Sequence, residues 1–368
     1  MKVLMISLDK GLLGQGQLGD VIERHKKYGD QVERLDIIVF SGPEYDTNII
    51  SDHVTAYPTK SNSKASFAQD ARRIAHELFQ KSKYDLIVTQ EPFLTGWVGF
   101  RLKRHHHAKL LIHFHGDFWE NPNWLKESPI NPMLLLASKF TVKQADHIRV
   151  MSQGQKEKLL KAGIDETKVT VISTPVDIGK FADQESGIRN QESGRVVLHV
   201  GRDDKVKDYD TLVRVFRIIK ERNPLVALVQ IGSKVLLEEA KISNHFTNFI
   251  MQERKGHEDV ISWIKTSTIL ISTSRSESFG KVLVEANAAG KPVVATATTG
   301  AKEIIQDGCN GFLVPIGDAQ ALADKVIELL NDPEKARHMG ENGRKLVQGK
   351  YGDSTERIIA LWKKIVQA

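Results

Sequence analysis

The stretch TILISTSRSESFGKVLVEANAAGKPVVAT, residues 268–296, reads as strand, loop, helix and strand in that order. An apolar run rich in isoleucine ends at Ser274, and "RSESFG" follows with turn-forming residues. "KVLVEANAAG" is made of helix-tolerant residues and closes on Gly290, after which Lys-Pro-Val-Val opens a second apolar run. Two apolar strands joined by a helix make a βαβ unit, whose strands run parallel. Glu277 then sits on the loop at the carboxyl edge of a strand, and Glu285 lies roughly two turns into the helix. The first amides of that helix, at Gly280, Lys281 and Val282, are unpaired donors at a positive dipole end, which accepts phosphate. One carboxylate beside a phosphate site can hold sugar hydroxyls, and a deeper one can hold a ribose diol. The local pattern suits a nucleotide-sugar.

The same rhythm extends along the chain. "KVLMISL", "LDIIVFS", "YDLIVTQ", "KLLIHFH", "DHIRVMS" and "KVTVIST" read as buried parallel strands, with amphipathic segments such as SFAQDARRIAHELFQKS (66–82) between them. The alternation stops at TPVDIGKFADQESGIRNQESGR (174–195), which is polar, holds three glycines and shows neither period. It restarts with "VVLHVG", "LVALVQIG", "TILISTS", "PVVAT" and "GFLVP". The expectation is an α/β chain of two Rossmann-like domains, 1–176 and 196–352, joined by a linker at 177–195. Ligands in such sheets sit beyond the carboxyl ends of the strands, so the two parallel sheets are expected to face across a cleft. The last segment, DSTERIIALWKKIVQ, is amphipathic, with Asp353 or Ser354 placed to cap it.

Composition excludes several classes. A length of 368 residues favours two cores over one. A single cysteine, Cys309, excludes an internal disulfide framework or a cysteine-based zinc cluster. Net charge is +6 from 52 Lys+Arg against 46 Asp+Glu, a mixed surface that suits anionic small partners better than a basic arm would. The basic runs at 24–27 and 101–107 lack the interleaved aromatics of a nucleic-acid platform, so no nucleic-acid partner is expected. Charge arrives too early in "MKVLMISLDKG" for a signal peptide, and no run approaches the roughly 18 apolar residues of a membrane span. The expected location is cytoplasmic, with peripheral contact between those basic runs and the inner, anionic membrane face left open.

ESFGKVLVEANAAGKPVVAT (277–296) strongly resembles the E-x7-E signature of retaining GT-B glycosyltransferases of family 4, and HVGRDDKVKDYDTL (199–212) and GCNGFLVPIGDAQALADKVIELLNDPE (308–334) are similar to further segments of that family. The resemblance implies the GT-B architecture, with an N-terminal acceptor domain, a C-terminal donor domain and a final helix, 353–368, packed back onto the first. It implies that Arg202 and Lys207 neutralise the departing diphosphate. It places Glu277 on the transferred sugar with Phe279 and Gly280 alongside, and Glu285 on the ribose. Charge builds on the leaving phosphate during cleavage, so fixed cations there stabilise the transition state more than the ground state.

In the first domain, LLGQGQLGD (12–20) resembles the family's glycine-rich loop, which puts Gly16 against the donor; the family has adjacent glycines where this chain has Gly-Gln-Gly. It is not a dinucleotide fingerprint, since no acidic ribose ligand follows a second strand. His115 aligns with the family's histidine near the sugar's anomeric carbon. Asp117, Trp119 and Trp124 follow on the next loop, where they line an acceptor pocket or cap the domain edge.

The implied reaction is hexosyl transfer from a UDP- or GDP-sugar to a saccharide or lipid-linked acceptor in polysaccharide, glycolipid or glycoconjugate synthesis. Configuration is retained, front-face attack being the family's favoured route. The nucleotide-sugar is a substrate and no cofactor is implied. No D-x-D signal at a strand end asks for a metal, so turnover is expected to be metal-independent. A nucleotide-sugar epimerase and a non-catalytic nucleotide-sugar-binding module on the same scaffold stay open as alternatives.

Overall fold

A computed structural model describes residues 1–14, 20–182, 195–233, 249–252, 256–352 and 354–368. The chain forms two compact units, Met1–Ser173 with Ser354–Ala368, and Thr174–Asp353.

The first unit is built on an eight-stranded sheet: β1 (Lys2–Ser7), β2 (Arg34–Val39), β3 (Asn48–Ser51), β4 (Val54–Pro58), β5 (Leu86–Thr89), β6 (Lys109–Phe114), β7 (His147–Val150) and β8 (Val169–Val171). The strand order is β3-β4-β2-β1-β5-β6-β7-β8, parallel throughout except for β3. Alternate residues of each strand point to opposite faces, so β1 sends Leu4 and Ile6 into one core and Val3 and Met5 into the other. Helix Phe67–Lys81 covers the first face through Ala71, Ala75 and Leu78, at i, i+4 and i+7. The last helix, Thr355–Gln367, covers the second face. Its Trp362 is fully buried and meets Tyr28 edge-on at 5.6 Å. Of the two candidate caps of that helix, Asp353 lies outside the described residues, and the Ser354 hydroxyl donates to the Ser173 carbonyl rather than capping.

The second unit holds a six-stranded parallel sheet of β9 (Val196–Val200), β10 (Ala227–Ile231), β11 (Phe249–Gln252), β12 (Ile269–Ser272), β13 (Val293–Thr296) and β14 (Gly311–Val314), ordered β11-β10-β9-β12-β13-β14. The all-buried quartets "ILIS" and "VVAT" explain the continuous apolar runs of residues 268–296, since strands covered on both faces have no polar side.

The structure departs from the sequence expectations in three places. The β3–β4 hairpin is an antiparallel edge with a register shift between Ile49 and Ser51; the largely solvated β3 makes no apolar run to read. β11 (Phe249–Gln252) is a further strand beyond those expected from the sequence. The segment expected as linker, 177–195, opens with a helical turn at Gly179–Ala182, and Phe181 is buried there with its ring edge-on to His257 at 6.4 Å. Packing on the second unit has therefore begun before residue 183; residues 183–194 lie outside the described set.

Candidate functional site

In the second unit, the loops that leave the carboxyl ends of β9 and β12 converge. After β9, Asp204 caps a short 3-10 turn at Lys205–Lys207 by accepting from the Val206 amide at 3.2 Å. Asp208 then caps helix Tyr209–Arg222, accepting from the Thr211 amide at 3.4 Å and also from its hydroxyl at 2.8 Å. Arg275, on the loop after β12, donates to Asp208 at 2.8 Å, and its amide bonds the Val206 carbonyl at 2.7 Å. The Thr273 hydroxyl donates to the Lys207 carbonyl at 2.7 Å. These bonds lock the two loops together. They place the Lys207 ammonium on the Glu277 carboxylate, which also accepts from Ser274 at 3.1 Å. Lys207 and Glu277 are mostly covered, whereas Arg202 is exposed and 3.5 Å from Asp204. Lys205, the neighbouring candidate, is exposed.

The turn into helix Lys281–Ala288 depends on two glycines. Gly280 is its N-cap with φ of 85°, a left-handed conformation that side chains rarely adopt. Gly300 passes so close that a Cβ there would lie 2.5 Å from the Phe279 nitrogen, and its amide donates to the Glu277 carbonyl at 2.7 Å. Phe279 is buried, with its ring edge-on to Tyr351 at 5.4 Å. Val282 is half-buried on the first turn. Glu285, one turn below Lys281 and 3.6 Å from its ammonium, is buried. The second unit thus brings Lys207, Glu277, Phe279, Gly280, Lys281, Val282 and Glu285 to one strand-edge neighbourhood, with Arg202 at its rim.

Sequence reading missed the supports of this site. Tyr209 donates to the Gly201 carbonyl at 2.7 Å, and Gln230 reaches the same oxygen at 3.3 Å. His199 lies edge-on to Tyr209 at 5.6 Å. The Asp208-x-x-Thr211 spacing is a readable cap signal. The partnership of Asp208 with Arg275 spans 67 residues and has no local trace.

In the first unit, Gly16 lies outside the described residues. His113 and His115 follow each other at the end of β6, with His113 Nδ1 and His115 Nε2 3.3 Å apart. Burial and the Arg149 charge hold the His113 imidazole well below its ordinary pKa, whereas His115 is exposed just past the strand end. His115 is open to solvent there, placed to hydrogen-bond a hydroxyl. Arg149, beside His113 in the sheet register, is itself buried, pushed down to about 10, and donates to the Ile172 and Ser173 carbonyls at 2.9 and 2.8 Å. Gln155 fastens the loop after β6 by donating to the Gly116 carbonyl at 2.8 Å.

Two of the residues read as acceptor candidates are interior. The Trp119 indole is buried and donates to Ser138 at 2.8 Å, because helix Asn131–Gln144 packs over it. Asp117 is buried in an ion pair with Lys158 at 2.7 Å. Trp124 is half-buried and stacked on Phe93 at 5.4 Å. Of the open-or-capping alternatives for this loop, Trp119 takes the capping one.

His25 and His199, one in each unit, are each pushed down to about 3, chiefly by burial. Both stay neutral in the folded chain between about pH 3 and 6.5, where the unfolded chain takes up protons. The unfolded state therefore binds more protons, and stability falls with decreasing pH by up to about 1.4 kcal/mol per pH unit per site. Urea midpoints at pH 7, 6 and 5 should decline in turn; a flat series contradicts the assignment.

The chain is also similar to known proteins. The family model described as "Glycosyl transferases group 1" matches residues 181–346, and "Glycosyltransferase Family 4" matches residues 30–180. Together the two glycosyltransferase models span residues 30–346, and the two parallel-sheet units have the GT-B fold. It is 30% identical over 234 residues to the capsular polysaccharide biosynthesis glycosyltransferase CapM of Staphylococcus aureus. That match spans 60% of this chain and 61% of the relative, under two thirds of its length. Among solved structures, sucrose-phosphate synthase from Thermosynechococcus elongatus superimposes with a TM-score of 0.84 at 21% identity, covering 100% of this chain and 98% of that one. Anabaena HepE in complex with UDP-glucose gives 0.76 at 21% identity, covering 99% of each chain.

Proposed function

We propose that the protein transfers a hexosyl group from a UDP- or GDP-sugar to an acceptor hydroxyl with retained configuration. The observation that carries this reading is the Lys207–Glu277 pair set beside the amino end of helix Lys281–Ala288. A diphosphate entering there meets a cation already positioned and a helix end of the right sign. Lys207 exchanges its carboxylate partner for phosphate oxygens, Arg202 swings in from the rim, and Glu277 is released toward the sugar hydroxyls. Glu285 takes the ribose. Its burial beside Lys281 excludes water from that contact and makes it directional. The acceptor is assigned to the first unit, with His115 as a hydroxyl partner. The UDP-glucose complex of a protein with the same fold supports UDP as the first base to try.

Retention follows by front-face attack: the acceptor oxygen bonds the anomeric carbon on the side the diphosphate leaves, and the diphosphate takes the acceptor proton. Lys207 and Arg202 stabilise the charge that gathers on the leaving oxygen. Asp203 and Asp204 are engaged by Ser233 and by the Val206 amide, so the cations rather than a carboxylate-held metal are assigned to the phosphates. Turnover should persist in EDTA.

A thermal-shift panel of UDP-, GDP- and ADP-sugars identifies the donor, because a ligand of the folded state raises the melting point by mass action. Proton NMR of the product then reports the anomer: a glycoside of retained configuration supports the reading. A free rearranged sugar instead means an epimerase, and binding without any product means a non-catalytic module. Arg202→Ala should weaken UDP or GDP binding about five- to tenfold, the scale of one exposed charge-assisted contact. Unchanged affinity by calorimetry contradicts its place on the diphosphate.

A further inference from the structure

Ten large hydrophobic side chains are exposed among the described residues, and six of them fall between positions 94 and 140: Leu94, Trp97, Ile130, Met133, Leu136 and Phe140. On helix Asn131–Gln144, Met133, Leu136 and Phe140 recur at i, i+3 and i+7 and are 63%, 71% and 51% exposed. That spacing makes one apolar stripe on the side turned away from the core. Phe140 meets Phe100 of helix Leu94–His106 edge-on at 5.3 Å, so the two helices share one surface. The outer side of the second helix carries Trp97, Arg101 and Arg104, with the Arg101 guanidinium 5.6 Å from the Trp97 ring.

The charge around this stripe has one sign. Residues 94–110 contain Arg101, Lys103, Arg104 and Lys109 and no carboxylate. Residues 128–144 contain Lys139 and Lys143, again with no carboxylate. Lys103 is matched by Asp146 at 2.8 Å, whereas Arg101, Arg104, Lys139 and Lys143 form no ion pair among the described residues. A protein partner of mixed charge would leave such a surface poorly matched. A sheet of anionic headgroups over hydrocarbon matches both halves of it. Leucine, methionine and phenylalanine enter the acyl boundary, tryptophan sits at the headgroup level, and lysine and arginine remain with the phosphates. No described helix is long and apolar enough to cross a membrane, which leaves an in-plane mode.

We propose that the first unit docks on an anionic lipid bilayer through the outer faces of helices Leu94–His106 and Asn131–Gln144. Docking deepens the transferase reading by assigning its acceptor to a lipid-borne class. It goes beyond the basic runs at 24–27 and 101–107 taken alone: in the run at 24–27 His25 is buried, and neither run contains the apolar stripe.

The test is co-sedimentation of the full chain with vesicles of phosphatidylcholine, with and without 30% phosphatidylglycerol, in the absence of any nucleotide-sugar. Docking and transfer can therefore fail separately. The chain should pellet with the anionic vesicles, and each basic residue lost should weaken partitioning about fivefold. Lys139→Glu with Lys143→Glu should thus cost at least about 25-fold. Met133→Glu with Leu136→Glu should cost at least about tenfold while leaving the melting point and nucleotide affinity unchanged, because both side chains already face solvent. Brominated lipid should quench fluorescence of the wild type more than that of Trp97→Phe. A chain that stays in the supernatant with anionic vesicles overturns the proposal. So do equal binding to neutral vesicles, charge or apolar variants that bind like wild type, and a solution dimer that Met133→Glu with Leu136→Glu dissociates.

Discussion

Glu277→Gln should lower turnover with the cognate nucleotide-sugar by about 10²–10³-fold, the scale seen when one preorganised polar contact to a transition state is removed. The same substitution should leave UDP or GDP affinity unchanged or raise it a few-fold. The reason lies in the partner of Lys207: the Glu277 carboxylate holds that ammonium in the free protein and competes with an arriving phosphate for it. Glutamine keeps the shape and can still accept from Ser274, which donates to Glu277 at 3.1 Å, but it removes the competing charge. Turnover and affinity should therefore move apart. Lys207→Ala is the contrasting case, because it leaves Glu277 half-covered without its cation and presents the diphosphate with a carboxylate. Affinity and turnover should then fall together. Calorimetry with UDP and GDP beside initial rates checks both variants. Wild-type turnover in Glu277→Gln rejects the role of Glu277 on the sugar, and a large loss of nucleotide affinity rejects the competition.

The two variants also show what a sequence discloses and what it withholds. Glu277, Gly280 and Glu285 were legible because one strand, one turn and one short helix position all three within residues 268–296. Parallel strands buried on both faces announce themselves by unbroken apolar runs, so eleven of the fourteen are legible with near-correct limits, whereas β3, β4 and β11 are not. The lock between the two loops was not legible. Arg275 finds Asp208, and Thr273 finds the Lys207 carbonyl, only after β9 and β12 lie side by side. The two alternatives for Trp119 stay open in the sequence for the same reason: its burial is decided by Ser138, on a helix that its own loop does not reveal. That helix, "NPMLLLASKFTVKQ", shows apolar residues all round, and only the packed unit separates its core side, Ser138, Thr141 and Val142, from its exposed stripe.

Gly300→Ala should be the most damaging single-methyl change near the site. Gly300 begins the helix that follows β13, and its amide holds the Glu277 carbonyl at 2.7 Å. An alanine Cβ there would stand 2.5, 2.6 and 2.7 Å from the nitrogen, carbonyl carbon and Cα of Phe279. All three are backbone atoms, so no rotamer relieves the contact and the turn itself must move. Overpacking of this kind costs about 1–3 kcal/mol of stability. The larger consequence is positional. Glu277 and the Gly280 N-cap share that turn, and a displacement of about 1 Å in a catalytic group costs on the order of 10² in rate. Turnover in Gly300→Ala should thus fall far more than the lost stability explains at a temperature where the protein remains folded. Gly349→Ala supplies the control, since nothing lies within 4 Å of a Cβ at that position in helix Pro333–Lys350. It should be neutral or stabilise by about 0.5–1 kcal/mol, as alanine does over glycine within a helix. Urea unfolding with initial rates on both variants decides the matter. If Gly300→Ala keeps wild-type turnover, the 277–280 turn does not set the reacting geometry, and the assignment of Glu277 falls with it.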